Sequence, residues 1–226
     1  MTEAPVAEPG ASSARIRQEL AGAIGPLTAA CTALVGHPRL RELWPEYLVL
    51  QHQIIRATVP LTETALDRTR ALPGSDPLRA PLAAYLEEHV DEELNHDDGL
   101  LDDLESLGLP RAEVLARMPS PRVAALVGAQ YYWIHHHHPV AFLGYIALME
   151  GYPPTAELIE ALAERTGYPP EAFRTFDQHA ELDPGHKDHL DRTLDALPLT
   201  EDQEAMIATS ASTTAVLAAQ AISEIV

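Results

Sequence analysis

Apolar positions recur at intervals of three and four along most of the chain, with Ala, Leu, Glu and Arg in the repeat and no sustained alternation of period two. That period turns one face of a helix toward a core, so the pattern predicts an all-α fold. Gly25 and Gly36 mark the ends of two short helices, over about 13–24 and 26–35. From Pro38 a long segment reaches about residue 71. It is expected to bend at Pro45 and Pro60, since each proline removes a backbone donor and crowds the preceding turn. Asp76-Pro77 joins a capping residue to a first-turn proline and opens a helix expected to run unbroken through Tyr85, Glu93 and His96 to about Leu107, before Gly108.

A short helix over about 111–118 follows, and Ser120-Pro121 repeats the same start signal for a long one. The long helix should carry Tyr131, Tyr132, Trp133 and the run His135 to His138, bend at Pro139 and end at Glu150-Gly151. Further helices are expected over about 155–165 and 171–197, and Thr200 with Gln203 forms a capping box for the last. About seven main helices joined by proline- and glycine-rich turns make one bundle, and no repeat period suggests a solenoid. Residues 1–12, with two acids and two prolines, read as a flexible tail and not a signal peptide, ahead of a helical domain over 13–226.

Composition narrows the partners. The 226 residues carry 34 acids against 15 Lys and Arg, a formal charge of -19, which repels nucleic-acid backbones and anionic lipid. The last helix is mildly apolar but interrupted by Thr, Ser and Gln, so it is expected in the bundle and not in a membrane. A single cysteine, Cys31, makes no internal disulfide and points to a reducing, cytoplasmic setting, with packing as its role. An Ala-rich last helix would serve a homodimer as well as a core.

One stretch stands out, His179-Ala-Glu-Leu-Asp-Pro-Gly-His186. On a helix, His179, Asp183 and His186 leave the same face over two turns, where an amphipathic helix would ordinarily place Leu or Ala. Pro184 and Gly185 are poor helix formers, so something beyond propensity must hold that turn, and ligand bonds to a metal are a candidate. Glu93 and His96 form a second such face, and two facing helices could hold a metal between them. The plain alternative is the solvated face of an acidic protein.

The set Glu63, Glu93-x-x-His96, Glu150 before Gly-Tyr-Pro-Pro, and His179-x-x-x-Asp183-x-x-His186 resembles the heme-oxygenase-like diiron oxidases and oxygenases, or iron-containing redox enzymes. The resemblance runs from Trp44 to Leu197, and its last motif is the most specific. It implies a heme-oxygenase-like bundle without heme, two Fe(II) ions held by Glu63, Glu93, His96, Glu150, His179, Asp183 and His186, and dioxygen as co-substrate. It also implies oxidation of a small organic substrate, amino-acid- or fatty-acid-like, by N-oxygenation, oxidative carbon–carbon cleavage or decarboxylation, or cyclisation in specialised metabolism, with an unidentified electron donor. Ferritin-like carboxylate proteins use two Glu-x-x-His motifs, and only one is found here. Four carboxylates drawn into one core would need about two divalent ions to offset their charge, and a mixed nitrogen and oxygen set suits iron better than structural zinc.

Other residues carry weaker readings. His89 shares the face of Glu93 and reads as a hydrogen-bonding partner of a ligand; His189 extends the last motif and is expected to be exposed. Arg56 could hold a substrate carboxylate, and Tyr131, Tyr132 and Tyr145 could wall a pocket. His135 to His138 point all round a helix and cannot all reach one site. Two alternatives stay open, an iron-binding, ferroxidase-like protein and a metal-free, TenA-like hydrolase or small-molecule-binding bundle. Heme degradation would need a proximal ligand such as His37 or His52.

Overall fold

The computed structural model describes residues 12–226, so the expected tail lies outside the described residues except for Ser12, which is buried and already helical. The described residues form α1 (Ser12–Ala23), α2 (Gly25–Gly36), α3 (Leu40–Ile55), α4 (Thr58–Arg70), α5 (Arg79–Glu93) and α6 (His96–Ser106). After these come α7 (Arg111–Ala116), α8 (Pro121–His136), α9 (Phe142–Met149), α10 (Ala156–Thr166), α11 (Arg174–Ala196) and α12 (Glu201–Ser223). Short 3-10 turns, Pro139–Ala141 and Pro170–Phe173, lead into α9 and α11.

Several boundaries follow their chemistry. Ser120 accepts from the backbone amides of Arg122 and Val123 at the start of α8, and Thr200 and Gln203 close a full capping box on α12. Pro60 falls in the first turn of α4, where no helical donor is required, so the break sits just before it at Arg56 and Ala57. Pro45 lies inside α3 and leaves the carbonyl of Arg41 without its usual amide. The hydroxyl of Tyr168 donates to that carbonyl instead, at 2.9 Å.

The helix expected to run unbroken from residue 76 to 107 is two helices. Leu94 leaves helical geometry with ψ 126 and Asn95 takes φ 70, so α5 ends at Glu93 and α6 starts at His96. Asparagine is one of the few residues that enters the left-handed region at little cost.

α12 is apolar and long enough by composition to cross a membrane, yet here it packs against α1, α2, α8 and α9, with Ser210, Ala211, Thr214 and Ala215 buried. Its small residues admit close neighbours. A Cβ on Gly144 of α9 would lie 2.1 Å from the carbonyl oxygen of Ile207 and 2.7 Å from the amide nitrogen of Ala211. On α8, Gln130 donates to Thr214 at 3.1 Å and accepts from Ser210 at 3.0 Å, so the polar groups of this seam are satisfied internally. Arg17 of α1 donates to Asp191 of α11 and to the carbonyl of Ala147 of α9, tying three helices near the C-terminal end of α9.

Candidate metal centre

The break between α5 and α6 builds one side of the site. It turns Leu94 out to solvent while Glu93 and His96, on either side, stay buried with His96 Nδ1 3.4 Å from Glu93 Oε2. One turn before Glu93, His89 is 1% exposed and its Nδ1 lies 3.5 Å from Glu150 Oε1 and 3.5 Å from Glu92 Oε2. Glu150 is the residue at which α9 ends. Ligand atoms of His89, Glu93 and Glu150 all lie within 4.8 Å of one another.

α11 supplies the other side. Its helix continues through Pro184 and Gly185, so His179, Asp183 and His186 do share a face. His179 Nδ1 is 2.9 Å from Asp183 Oδ1, and His186 Nδ1 is 3.9 Å from the same oxygen. The rings of His96 and His179 meet edge to face with centroids 5.0 Å apart, joining the two sides into one cluster. Asp183 is buried, and the two histidines are mostly so.

This cluster leaves much of its bonding capacity unused. His89 Nδ1, His96 Nδ1, both oxygens of Glu150, His179 Nε2 and His186 Nδ1 are buried without a hydrogen-bond partner among the described residues. Unpaired buried polar atoms are costly and native proteins pair nearly all of them, so a convergent group of imidazole nitrogens and carboxylate oxygens fits divalent metal ions. The electrostatics agree. Burial first, and then the charges of Glu93, Asp183 and Glu92, push the Glu150 carboxyl well above its usual range. Burial also raises Glu93, but the adjacent His96 and the positive potential of His89 and His179 leave it below its usual value. Burial lowers His179, and Asp183 more than offsets this, so the imidazole ends raised. A cation bound among these groups would offset charge that is otherwise handled by protons.

Other expected site residues lie elsewhere. Glu63 is exposed on α4, whose buried stripe is Leu61, Thr62, Ala65, Leu66 and Thr69. The structure thus does not bring Glu63, expected as a ligand, to the cluster; His89 stands among the buried candidates there, with three buried carboxylates where four were counted. Arg56 lies half-buried at the end of α3 and does not line the cavity described below. Tyr131 stacks on His135, away from the cavity, and Tyr132 is exposed. Of the histidine run, His135, His136 and His137 are exposed, while His138 accepts from the Val140 amide and faces Asp76. His189 is half-buried, not exposed, and groups with Glu88 and Glu92 at the edge of the site. His52 is fully buried on α3, outside the cavity lining.

A cavity of about 680 Å³ opens beside the cluster, and His89, Glu93, Glu150, His179 and Asp183 all contribute to its wall. Tyr145 lines it as expected, fully buried, with its hydroxyl 2.9 Å from Thr58 Oγ1. From α3 and α4 the lining receives Trp44, Tyr47, Gln51, Ile54, Ile55 and Thr58 but, among the described residues, no acid. α2, α9 and α10 add mainly apolar side chains, and Leu100, Phe176, Ala218 and Ile222 extend the wall from α6, α11 and α12. Sequence spacing could not reveal this chamber, because its walls come from helices far apart in the chain.

The sequence profile of a family described as iron-containing redox enzymes matches residues 48–219. A search of curated proteins returns no match. Among solved structures, a domain of unknown function with a heme oxygenase-like fold from Shewanella denitrificans is 20% identical, covering 94% of this chain and 90% of its own, with a TM-score of 0.79. A TenA homolog from Pseudomonas syringae pv. tomato is 13% identical over 98% of each chain, with a TM-score of 0.67. A CADD-like protein of unknown function from Nostoc punctiforme is 18% identical over 95% of this chain and 92% of its own, with a TM-score of 0.68. At such identities these structures establish a common fold alone, the heme oxygenase-like bundle expected from the sequence. The matched segment begins within α3, ends within α12 and contains every buried histidine and carboxylate of the cluster, and the chain belongs to the iron-containing redox enzyme family.

Proposed function

We propose that the chain is a nonheme diiron oxidase or oxygenase acting on a small organic substrate. The observation that carries this reading is the buried cluster of imidazoles and carboxylates with unpartnered donor atoms, open to an apolar chamber. His89, Glu93 and Glu150 would hold one ion, and His96, His179, Asp183 and His186 the other. Iron bound here would supply the electrons and Lewis acidity that dioxygen chemistry requires.

The protein's own groups prepare that chemistry. Asp183 accepts from Nδ1 of His179, an arrangement that leaves Nε2, buried and without a partner among the described residues, as the lone pair available to an ion. Tyr145, tied to Thr58 and raised by burial, stays a neutral phenol against the substrate space. Ile54, Ile146 and Leu148 exclude water from the same space and so strengthen each electrostatic contact inside it. An iron-handling role alone leaves an apolar chamber of this size without a use. The proposal carries with it a cytoplasmic setting and an electron donor supplied from outside the chain.

Metal content tests the reading most directly. Protein loaded anaerobically with Fe(II) is expected to retain about two irons per chain and to take up dioxygen when exposed to it. Retention of no iron, or iron that consumes no dioxygen with any candidate substrate, would overturn it; repeated Fe(II) oxidation with no organic turnover would favour the ferroxidase-like alternative.

A further inference from the structure

Outside the buried cluster, Glu88 and Glu92 lie one turn apart on α5, a spacing at which like charges repel. Their neighbour Glu87 is paired with Arg70, but among the described residues no lysine or arginine pairs with Glu88 or Glu92. What faces them is an imidazole from α11. His189 Nε2 is 3.8 Å from Glu88 Oε2, and His189 Nδ1 is 3.7 Å from Glu92 Oε1. These gaps are too long for hydrogen bonds, whereas ligands held at about 2.1 Å from one ion stand about 3–3.5 Å apart. One ligand atom from each of the three residues already lies within 4.8 Å of the other two. Tyr85, buried one turn before Glu88, meets the His189 ring edge-on at 5.2 Å and steadies it.

An independent observation points inward from this group. His89 Nδ1, in a side chain 1% exposed and without a hydrogen-bond partner among the described residues, lies 3.5 Å from Glu92 Oε2 and 3.5 Å from Glu150 Oε1. Glu92 therefore turns one oxygen to His189 at the surface and the other to His89 inside.

We propose that Glu88, Glu92 and His189 form a separate surface site for a first-row divalent transition-metal ion, which passes by way of Glu92 and His89 to the buried centre. An imidazole with two carboxylates selects such ions over Mg²⁺ and Ca²⁺, which take oxygen ligands. Because Glu88 is exposed and the other two are half-buried, the ion keeps part of its water and is held more weakly than in the interior. The chamber is the poorer route for a hydrated cation, since its mainly apolar wall does not replace the water that the ion sheds. The surface site stands on its own three residues; only the transfer rests on the metal-centre reading.

Co(II) titration of the full chain, followed by visible absorption and equilibrium dialysis, tests both parts. The wild type should bind about one Co(II) per chain more weakly than the buried ions. Glu88→Gln combined with His189→Gln should lose that ion, keep the buried ones at equilibrium, and fill them about tenfold more slowly in stopped-flow mixing at low ionic strength. Glu88→Gln alone, at an exposed position, should already weaken the surface ion. Glu87→Gln removes the same charge one residue away and should change neither binding nor rate. Persistence of the weak ion in the double variant, or an equal loss in Glu87→Gln, would overturn the surface site; unchanged filling rates would overturn the transfer. If the wild type binds the weak ion but none in the buried cluster, the surface site stands and the metal-centre reading falls together with the transfer.

Discussion

Glu93 and His96 face each other across 3.4 Å although the helix between them is broken. Their approach depends on Asn95 at φ 70, a conformation that alanine adopts only at a cost of about 1–2 kcal/mol. Asn95→Ala is therefore expected to lower stability by that amount and to weaken iron binding. Asn95→Gly should retain both, as glycine enters this region freely. Urea denaturation together with Fe(II) titration of the two variants checks the pair.

Glu63 and Asp183 make a direct contrast, one exposed on α4 and the other buried between two imidazoles. Glu63→Ala should leave iron content unchanged, whereas Asp183→Asn or His179→Ala should cost at least one iron per chain. Metal analysis of the purified variants reads this without an activity assay.

Glu150 sets a conflict between stability and metal binding. With its carboxyl held well above the ordinary value of 4.5, first by burial, the folded metal-free protein binds that proton more tightly than the unfolded chain does. This contribution to stability is complete below about pH 4.5 and is lost as the pH rises toward the elevated folded value. Glu150→Gln should remove the slope and stabilise the metal-free protein at neutral pH. It should also remove the stabilisation that iron gives the wild type. Urea midpoints at about pH 5 and about pH 8, with and without iron, measure both effects.

Gly144 and Gly185 should respond oppositely to alanine. A Cβ at Gly144 collides with the backbone of α12, so Gly144→Ala is expected to cost about 2–4 kcal/mol. Nothing lies within 4 Å of a Cβ at Gly185, inside α11, where alanine should gain about 0.5–1 kcal/mol in metal-free protein. Equilibrium denaturation distinguishes the two.

Pro184 deprives α11 of one backbone donor beside Asp183 and His186. Metal bound by those residues should protect this turn more than the rest of the bundle. Hydrogen exchange on metal-free and iron-loaded protein should show the largest difference at 180–190, and equal protection throughout would reject this local coupling.

Much of this was legible in the chain. The spacing of His179, Asp183 and His186 placed them on one face whatever the tertiary structure, and Thr200 with Gln203 announced the start of α12 through a local pair of hydrogen bonds. The break at Asn95 was not seen because apolar periodicity continues across Leu94 and no glycine or proline interrupts it; the asparagine was the available sign. The exposure of Glu63 was not foreseen because a motif match fixes position along a helix and not its facing. The stripe of Leu61, Thr62, Ala65, Leu66 and Thr69 could have shown that Glu63 points outward. His89 lay on the face of Glu93 from the start, but spacing alone does not say that it is buried within reach of Glu150.

The near-contact of Gly144 with Ile207 and Ala211 has a bearing on how such a chamber can be remodelled. Backbone against backbone leaves α9 unable to slide or swell, so Glu150 at its end is anchored in depth. The opposite rim, at Thr28 and Leu158, faces solvent and has no such seam. Substitutions on α2 and α10 can thus reshape the entrance while the inner end of the chamber, pinned through α9, stays put.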